Sequence, residues 1–389
     1  MKKIKLNIVH STPLWLPQTQ TWMYNQICRL CNNSIENHIV CERTINLDQF
    51  HAPNIHCLAE SSYLRFLWEK CMRKCHVRNH LCFLVDIIKK YNIQIVHSHF
   101  GNTGWFDLGA VSQTGVKHVV SFYGHDVKLL PTQQPEWKKR YQELFEKADL
   151  FLCEGPYMAK CIANLGCSEK KLKIQRLGIE LDNIPFISRT IQKDNNVNIL
   201  IAGTFREKKG IPDALEAIAI AKEKYPRIRV TVVGDSTGLV HEEIEKKKIL
   251  QVIKQFKLEP IIRMTGFQSK DSLKKEAYKH HIFISPSVTS SDGDTEGGAP
   301  VTIIEMAASG MPVISTLHCD IPFVLGKMNA MHLVHERDPK ALADKILEMI
   351  NMIQRNDTRL IRNNRYFIEK HLNISNCVKH LSQKYFSLF

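Results

Sequence analysis

The feature that most constrains this chain is its alternation of short apolar runs with helical stretches. In the second half, apolar runs begin at Val197, Ile228, Ile261, His281, Met311 and Ala330, roughly 20–30 residues apart, with helical stretches between most of them. Parallel strands need a long crossover between them, usually a helix. The spacing therefore predicts βαβ units and a parallel sheet. The first half reads the same way. Strands are expected at Leu6–His10, Ile93–Ser98, Val116–Phe122 and Leu150–Glu154. Helices are expected at Thr21–Leu30, Trp137–Ala148 and Gly155–Leu165, the last stopped at Gly166. A length of 389 residues suggests two or three domains. Pro185 and the polar run Lys193-Asp-Asn-Asn196 mark Asn183–Asn196 as the link between two α/β domains.

Composition narrows the class. Hydrophobic residues make up 44% and charged residues 24%, which excludes a disordered or fibrous chain. No apolar run approaches the ~18 residues of a membrane span. Met1-Lys-Lys-Ile-Lys5 looks like the start of a signal peptide, but an alternating strand pattern follows instead of an apolar core. The expected location is the cytoplasm. The 12 cysteines are then expected as free thiols, since cytosolic thiols stay reduced. Cys28-x-x-Cys31 lacks a matching pair of ligands for zinc. Cys71, Cys75, His76 and His80 fit one amphipathic helix with buried or half-buried thiols. His97 and His99 place two imidazoles on one face of a strand, with no third metal ligand evident.

The net charge is +14. Residues 1–100 contribute +6 and residues 351–389 contribute +5, leaving the middle close to balance. Such ends attract anionic partners or simply solubilise the protein. Ser61–Lys90 mixes Arg65, Lys70, Arg73, Lys74 and Arg78 with Phe66, Leu67 and Trp68. This pattern suits either an ordinary domain helix or one lying on an anionic membrane surface.

Three segments carry chemistry. Ser285–Ser315 reads as strand, small-residue loop, helix, glycine stop and strand. Its loop Glu296-Gly-Gly-Ala299 leaves backbone N–H groups bare at a helix start, which suits a phosphate. Glu296 and Glu305 flank that turn, where a carboxylate can accept hydrogen bonds from sugar hydroxyls. Asn198–Gly210 is a strand followed by a tight loop bearing Arg206, Lys208 and Lys209, cations suited to phosphate. His118–Asp126 is a strand ending in Gly124-His125-Asp126. The loop after the first strand has no G-x-G-x-x-G, so a nicotinamide-type dinucleotide site is not expected. Asp292-Gly-Asp294 has the form of a metal motif but reads as loop structure.

These segments resemble the retaining nucleotide-sugar glycosyltransferases of family 4, over nearly the whole chain. The resemblance implies a GT-B fold of α/β class: two Rossmann-like domains with parallel sheets facing across a cleft. The expected division is an acceptor-side domain at 1–183 and a donor-binding domain at 184–365. A final helix, at 366–389, would return to the first domain. Carried over by motif, Glu305 would contact the donor ribose and Lys209 the diphosphate. Gly297, Gly298 and Ala299 would offer amides to that diphosphate. Glu296 and His125 would stand at the transferred sugar as the catalytic pair.

The chain also departs from the family pattern. The step from Glu296 to Glu305 is one residue longer than E-x7-E. Thr204 stands where the family usually has Arg, so Arg206 would supply the guanidinium. The first loop, with Gln20 and Thr21, resembles that of exopolysaccharide and lipopolysaccharide enzymes. Together with His99 it is the candidate acceptor side.

The implied reaction moves a hexose from a UDP- or GDP-sugar to a glycan acceptor, one carried on a lipid, with retention and without metal or cofactor. A place at the inner face of the cell membrane goes with that reading. Two other readings remain open. One is an epimerase of the same fold, which needs no acceptor. The other is a non-catalytic basic protein that binds nucleic acid, although no nucleic-acid module is recognised.

Overall fold

The computed structural model describes residues 5–17, 20–30, 34–325 and 331–389. Cys31 and the strand start expected at Ala330 lie outside them. The chain forms two compact units: residues 1–179 joined by 373–389, and residues 180–372. The run 184–196 belongs to the second unit, where Arg189 is buried and donates to the carbonyls of His280 and Ser309. Among the described residues, no helix is long and apolar enough to cross a membrane.

The first unit holds seven parallel strands: β1 (Leu6–Trp15), β2 (Ile35–Thr44), β3 (Ile55–Cys57), β4 (Ile95–His99), β5 (Lys117–Ser121), β6 (Leu150–Cys153) and β7 (Leu172–Ile174). Their order is β3-β2-β1-β4-β5-β6-β7. The second unit holds β8 (Val197–Ala202), β9 (Ile228–Val233), β10 (Ile262–Met264), β11 (Ile282–Ser285) and β12 (Val313–Ser315), in the order β10-β9-β8-β11-β12. Helices cover both faces, so the strands can be apolar on both sides. In β8 and β9 the register pairs Val197 with Ile228, Ile199 with Val230 and Ile201 with Val232. All six lie in one core with Leu215 and Ile218 of helix Ile211–Lys224 and Ile346 of helix Pro339–Gln354. Sequence reading misses β2, β3 and β7. The last two are only three residues long, too short for periodicity to show.

The stretch read as one helix through Ser61–Lys90 is two, Tyr63–Lys74 and Cys82–Lys90. His76, at φ +55°, turns the chain between them. Cys71 and Cys75 are exposed, contrary to the expectation of buried or half-buried thiols. They fall on the solvent side, where the first helix ends.

Helix Ile374–Phe386 packs into the first unit. Val378, Leu381 and Tyr385 join Leu6, Ile8, Ile95 and Leu152. Beside this apolar patch lies a buried polar layer. His10 pairs with His97 across β1 and β4, which brings a third imidazole to His97 and His99. No local pattern signals this third imidazole, because His10 and His97 meet only through the pairing of β1 with β4.

Hydrogen bonds engage ring nitrogens of all three. Asn37 donates through its amide to the Ile27 carbonyl, so its Oδ1 accepts from His10 Nε2 at 3.3 Å. His10 Nδ1 must then accept from His99 Nε2 at 3.1 Å, and His99 Nδ1 from the Tyr123 hydroxyl at 2.9 Å. His97 bonds Ser121 at 2.7 Å and the Tyr385 hydroxyl at 2.6 Å. Burial holds His10 down at about 4, and His97 and His99 well below the usual imidazole value. The directional chain therefore runs through neutral rings.

Tyr385→Phe keeps the packing of the last helix but removes the partner of His97 Nδ1. A buried group left without a partner costs about 1–3 kcal/mol. Urea denaturation should show a lower midpoint with an unchanged slope. An unchanged midpoint would show that the layer does not anchor this helix.

Candidate active site

In the second unit β8 pairs with β11, so the loops that follow these strands emerge side by side. The β8 loop passes through a short 3-10 turn, Glu207–Lys209, and ends at Gly210. Gly210 has φ +61°, and a Cβ there would stand 2.0 Å from the carbonyl oxygen of Pro286 in the other loop. Only glycine allows that approach. The Val288 N–H donates to the Lys208 carbonyl at 2.9 Å, a second backbone tie.

Charge completes the junction. Asp294 is 3% exposed and sits 2.8 Å from Arg206 Nη2 and 3.1 Å from Lys208 Nζ. Lys208 also donates to the Thr295 carbonyl at 3.0 Å. Lys209 Nζ donates to both oxygens of Glu296, at 2.9 and 3.1 Å, and Ser287 Oγ donates to Oε1 at 3.0 Å. Burial disfavours the charged form of Glu296. Lys209 and Lys208 outweigh it and hold the carboxyl at about 2. The Glu296 N–H donates to His318 Nε2 at 3.1 Å, which leaves His318 Nδ1 to donate to Glu336 at 2.6 Å.

The loop then enters helix Val301–Ala308 through Gly297, Gly298, Ala299 and Pro300, with no side chain capping the helix start. Among the described residues, the N–H groups of Gly298 and Ala299 donate to no protein acceptor. Open donors at a helix N-terminus form an anion site. Lys209 lies beside it through its bond to Glu296.

Glu305, one turn into that helix, lines a cavity of about 330 Å³ with Lys270, Lys274, Tyr278 and Glu180. Lys270 Nζ is 3.5 Å from its Oε1. Burial pushes the Glu305 carboxyl up, and Lys270 is the largest opposing influence.

The second unit therefore gathers Arg206, Lys209, Glu296, Gly297, Gly298, Ala299 and Glu305 at the carboxyl ends of β8 and β11. The remaining candidates lie in the first unit. His125 is exposed and opens the π-helical turn His125–Leu129. Its neighbour Asp126 is buried, accepting N–H bonds from Gly101 at 2.5 Å and Tyr123 at 2.7 Å. Burial raises the Asp126 carboxyl to about 7. Gln20 Oε1 is buried without a partner, and Thr21 starts helix Thr21–Leu30. His99, expected on the acceptor side, lies instead inside the unit at the end of β4, fully buried, with both ring nitrogens bonded to His10 and Tyr123.

Sequence reading missed Lys270, Ser287 and His318 as neighbours of the two glutamates. Each is an ordinary residue in its local context, so no local signal exists. Only the sheet order and helix packing bring them in.

Glu296 ionises more readily in the folded chain than in the unfolded one. Its contribution is thus complete above the unfolded carboxyl range and is lost as pH falls from about 4.5 toward 2. Glu296→Gln should be less stable than wild type at neutral pH by roughly 3 kcal/mol. The gap should close below pH 4. Chemical denaturation across that range checks it, and a pH-independent gap would contradict the ion pair.

Comparison with known proteins follows the same lines. A profile for Glycosyltransferase Family 4 matches residues 19–183, and one for Glycosyl transferases group 1 matches residues 196–352. The amylovoran biosynthesis glycosyltransferase AmsK of Erwinia amylovora is 29% identical over 67% of this chain and 62% of its own length. WcaL of Escherichia coli, a protein assigned to colanic acid biosynthesis as a glycosyltransferase, is also 29% identical, over 67% of this chain and 62% of its own. The chain thus spans about three fifths of the length of these relatives. Among solved structures, sucrose-phosphate synthase of Thermosynechococcus elongatus superposes with a TM-score of 0.74 at 15% identity, covering 99% of both chains. HepE of Anabaena, solved with UDP-glucose, gives 0.73 at 13% identity, over 98% of this chain and 100% of its own. These likenesses establish the GT-B fold. With its two matched domains covering most of the sequence, the chain belongs to the family-4 glycosyltransferases.

Proposed function

We propose that this protein transfers a hexose from a UDP- or GDP-sugar to a lipid-linked glycan acceptor, with retention, in surface polysaccharide assembly at the inner face of the cell membrane. One observation carries the reading. Open N–H donors at Gly298 and Ala299 lie beside the Lys209–Glu296 pair, on the helix that also bears Glu305 in its cavity. Amides and an ammonium suit a diphosphate. A buried carboxylate lining a cavity suits ribose hydroxyls. The UDP-glucose in HepE supports a nucleotide-sugar donor, and the names of AmsK and WcaL support the polysaccharide setting.

Cleavage of the sugar–phosphate bond puts negative charge on the leaving diphosphate. The Gly298 and Ala299 amides and Lys209 are already oriented for that charge, so little reorganisation is needed as it develops. When the diphosphate arrives, Lys209 is shared between it and Glu296. Glu296 remains ionised and can accept a sugar hydroxyl. In a retaining reaction the acceptor attacks from the leaving-group side, where the departing phosphate oxygen takes its proton. This reading needs no metal, because amides and lysine supply the charge. His125 takes the role that the family resemblance assigns to it, at the transferred sugar.

Thermal unfolding with UDP-, GDP- and ADP-sugars tests the donor. At about 100 times its dissociation constant, a ligand adds about 2.7 kcal/mol. One nucleotide family should raise the Tm, and Glu305→Ala should weaken the shift. No shift with any of them in folded protein would overturn the reading.

A further inference from the structure

In an open α/β sheet, ligands bind beyond the carboxyl ends of the strands, where the strand order reverses. In the first unit that reversal falls between β1 and β4. A cavity of about 440 Å³ opens there, between Ser11–Pro13 of β1 and Asn102–Asp107 after β4. Helix Tyr63–Lys74 and Arg140 complete its wall.

The wall is cationic. Lys70, Arg73, Lys74 and Arg140 face two acidic residues, Glu42 and Asp107. Arg73 is bonded to Glu42, and Asp107 is buried with Ser98 Oγ at 2.7 Å. Among the described residues, Lys70, Lys74 and Arg140 have no carboxylate partner. Arg140 is held over the rings of Trp105 and Trp137, at 4.8 and 4.7 Å, which fixes its guanidinium at the rim. Thr103 Oγ1, also in the lining, is buried without a partner. These features suit a phosphate group.

The same helix carries an exposed apolar ridge, with the Arg78 guanidinium over the Trp68 ring at 5.3 Å. Leu64 is 80% exposed, Tyr63 59%, Trp68 51% and Leu67 47%. At about 100° per residue, Lys70 and Lys74 fall between this ridge and the buried side of the helix. A small soluble phosphate would leave the ridge unexplained. A bare anionic membrane would leave the concave pocket and Thr103 unexplained. A molecule with a phosphate head and an apolar chain meets both.

We propose that this cavity binds the phosphate head of the lipid that carries the acceptor sugar, with Lys70, Lys74 and Arg140 around the phosphate and the Tyr63–Trp68 ridge against the chain. The assignment rests on the glycosyl-transfer reading above. It gives the basic, aromatic helix a task distinct from general membrane adhesion.

Isothermal titration with farnesyl diphosphate, inorganic pyrophosphate and farnesol tests it. Farnesyl diphosphate should bind more tightly than either fragment. Lys70→Ser/Lys74→Ser should weaken it by about tenfold or more, the loss expected for charge-assisted bonds. Leu64→Ser/Trp68→Ser should weaken farnesyl diphosphate and leave pyrophosphate unchanged. Glu305→Ala should leave all three unchanged, since it lies in the other unit. All four substituted positions on the helix are exposed, and an unchanged Tm confirms that the variants fold. Farnesyl diphosphate binding that ignores both double variants overturns the proposal. So does flotation with phosphatidylglycerol vesicles in a protein that ignores farnesyl diphosphate, which would mark a plain anionic surface contact. If farnesyl diphosphate binds as expected while no sugar nucleotide raises the Tm, the donor assignment fails alone and this pocket stands.

Discussion

The architecture of the second unit depends on two buried carboxylates held against the basic loop. Asp294 and Glu296 lie in one small-residue loop; Arg206, Lys208 and Lys209 lie in another. Burial disfavours the charge on Glu296, and Lys209 and Lys208 keep it ionised. The cations, in turn, would repel one another in so tight a turn without the carboxylates. The pairing locks the two loops at the carboxyl ends of β8 and β11 and leaves the Gly298 and Ala299 amides open. The same ion pairs that stabilise the fold therefore hold Lys209 and the open amides side by side.

The first unit uses the opposite device. The polar layer beside its last helix is uncharged: His10, His97 and His99 are kept neutral by burial and share directional hydrogen bonds with Asn37, Ser121, Tyr123 and Tyr385. This layer ties the last helix to the sheet. On the other side of the same strands, Ser11, Ser98 and Asp107 form a second polar layer beneath the cavity at the strand-order reversal. One sheet thus separates a buried layer that anchors the last helix from a cavity lined by cationic side chains.

Much of this was legible from residue order. The βαβ rhythm gives the parallel sheets, because strand and helix periods differ and crossovers have a minimum length. The helix Thr21–Leu30 and the starts of β8 and β9 fall where periodicity puts them. Glu-Gly-Gly-Ala-Pro before an apolar helix marks a helix start with bare N–H groups, because glycine and alanine carry no capping side chain. The basic turn ending at Gly210 is legible as well. What failed were the short strands β3 and β7, the break at His76 within the basic helix, and the placing of His99. The two strands are too short for periodicity to show, the break is a single positive-φ residue, and His99 depends on partners distant in sequence.

The sequence by itself determined the layered α/β class, the two loop motifs and the residue types available for phosphate and sugar contacts, since these follow from local periodicity and local backbone demands. Only the tertiary structure decided which charges are paired and which are open. It assigned Asp294 to Arg206 and Lys208, gave Glu305 its neighbour Lys270, added His10 to His97 and His99, and left Lys70, Lys74 and Arg140 around a cavity. The reason is physical. Ion pairing and burial depend on distance in space, and strand order sets that distance between residues tens to hundreds of positions apart.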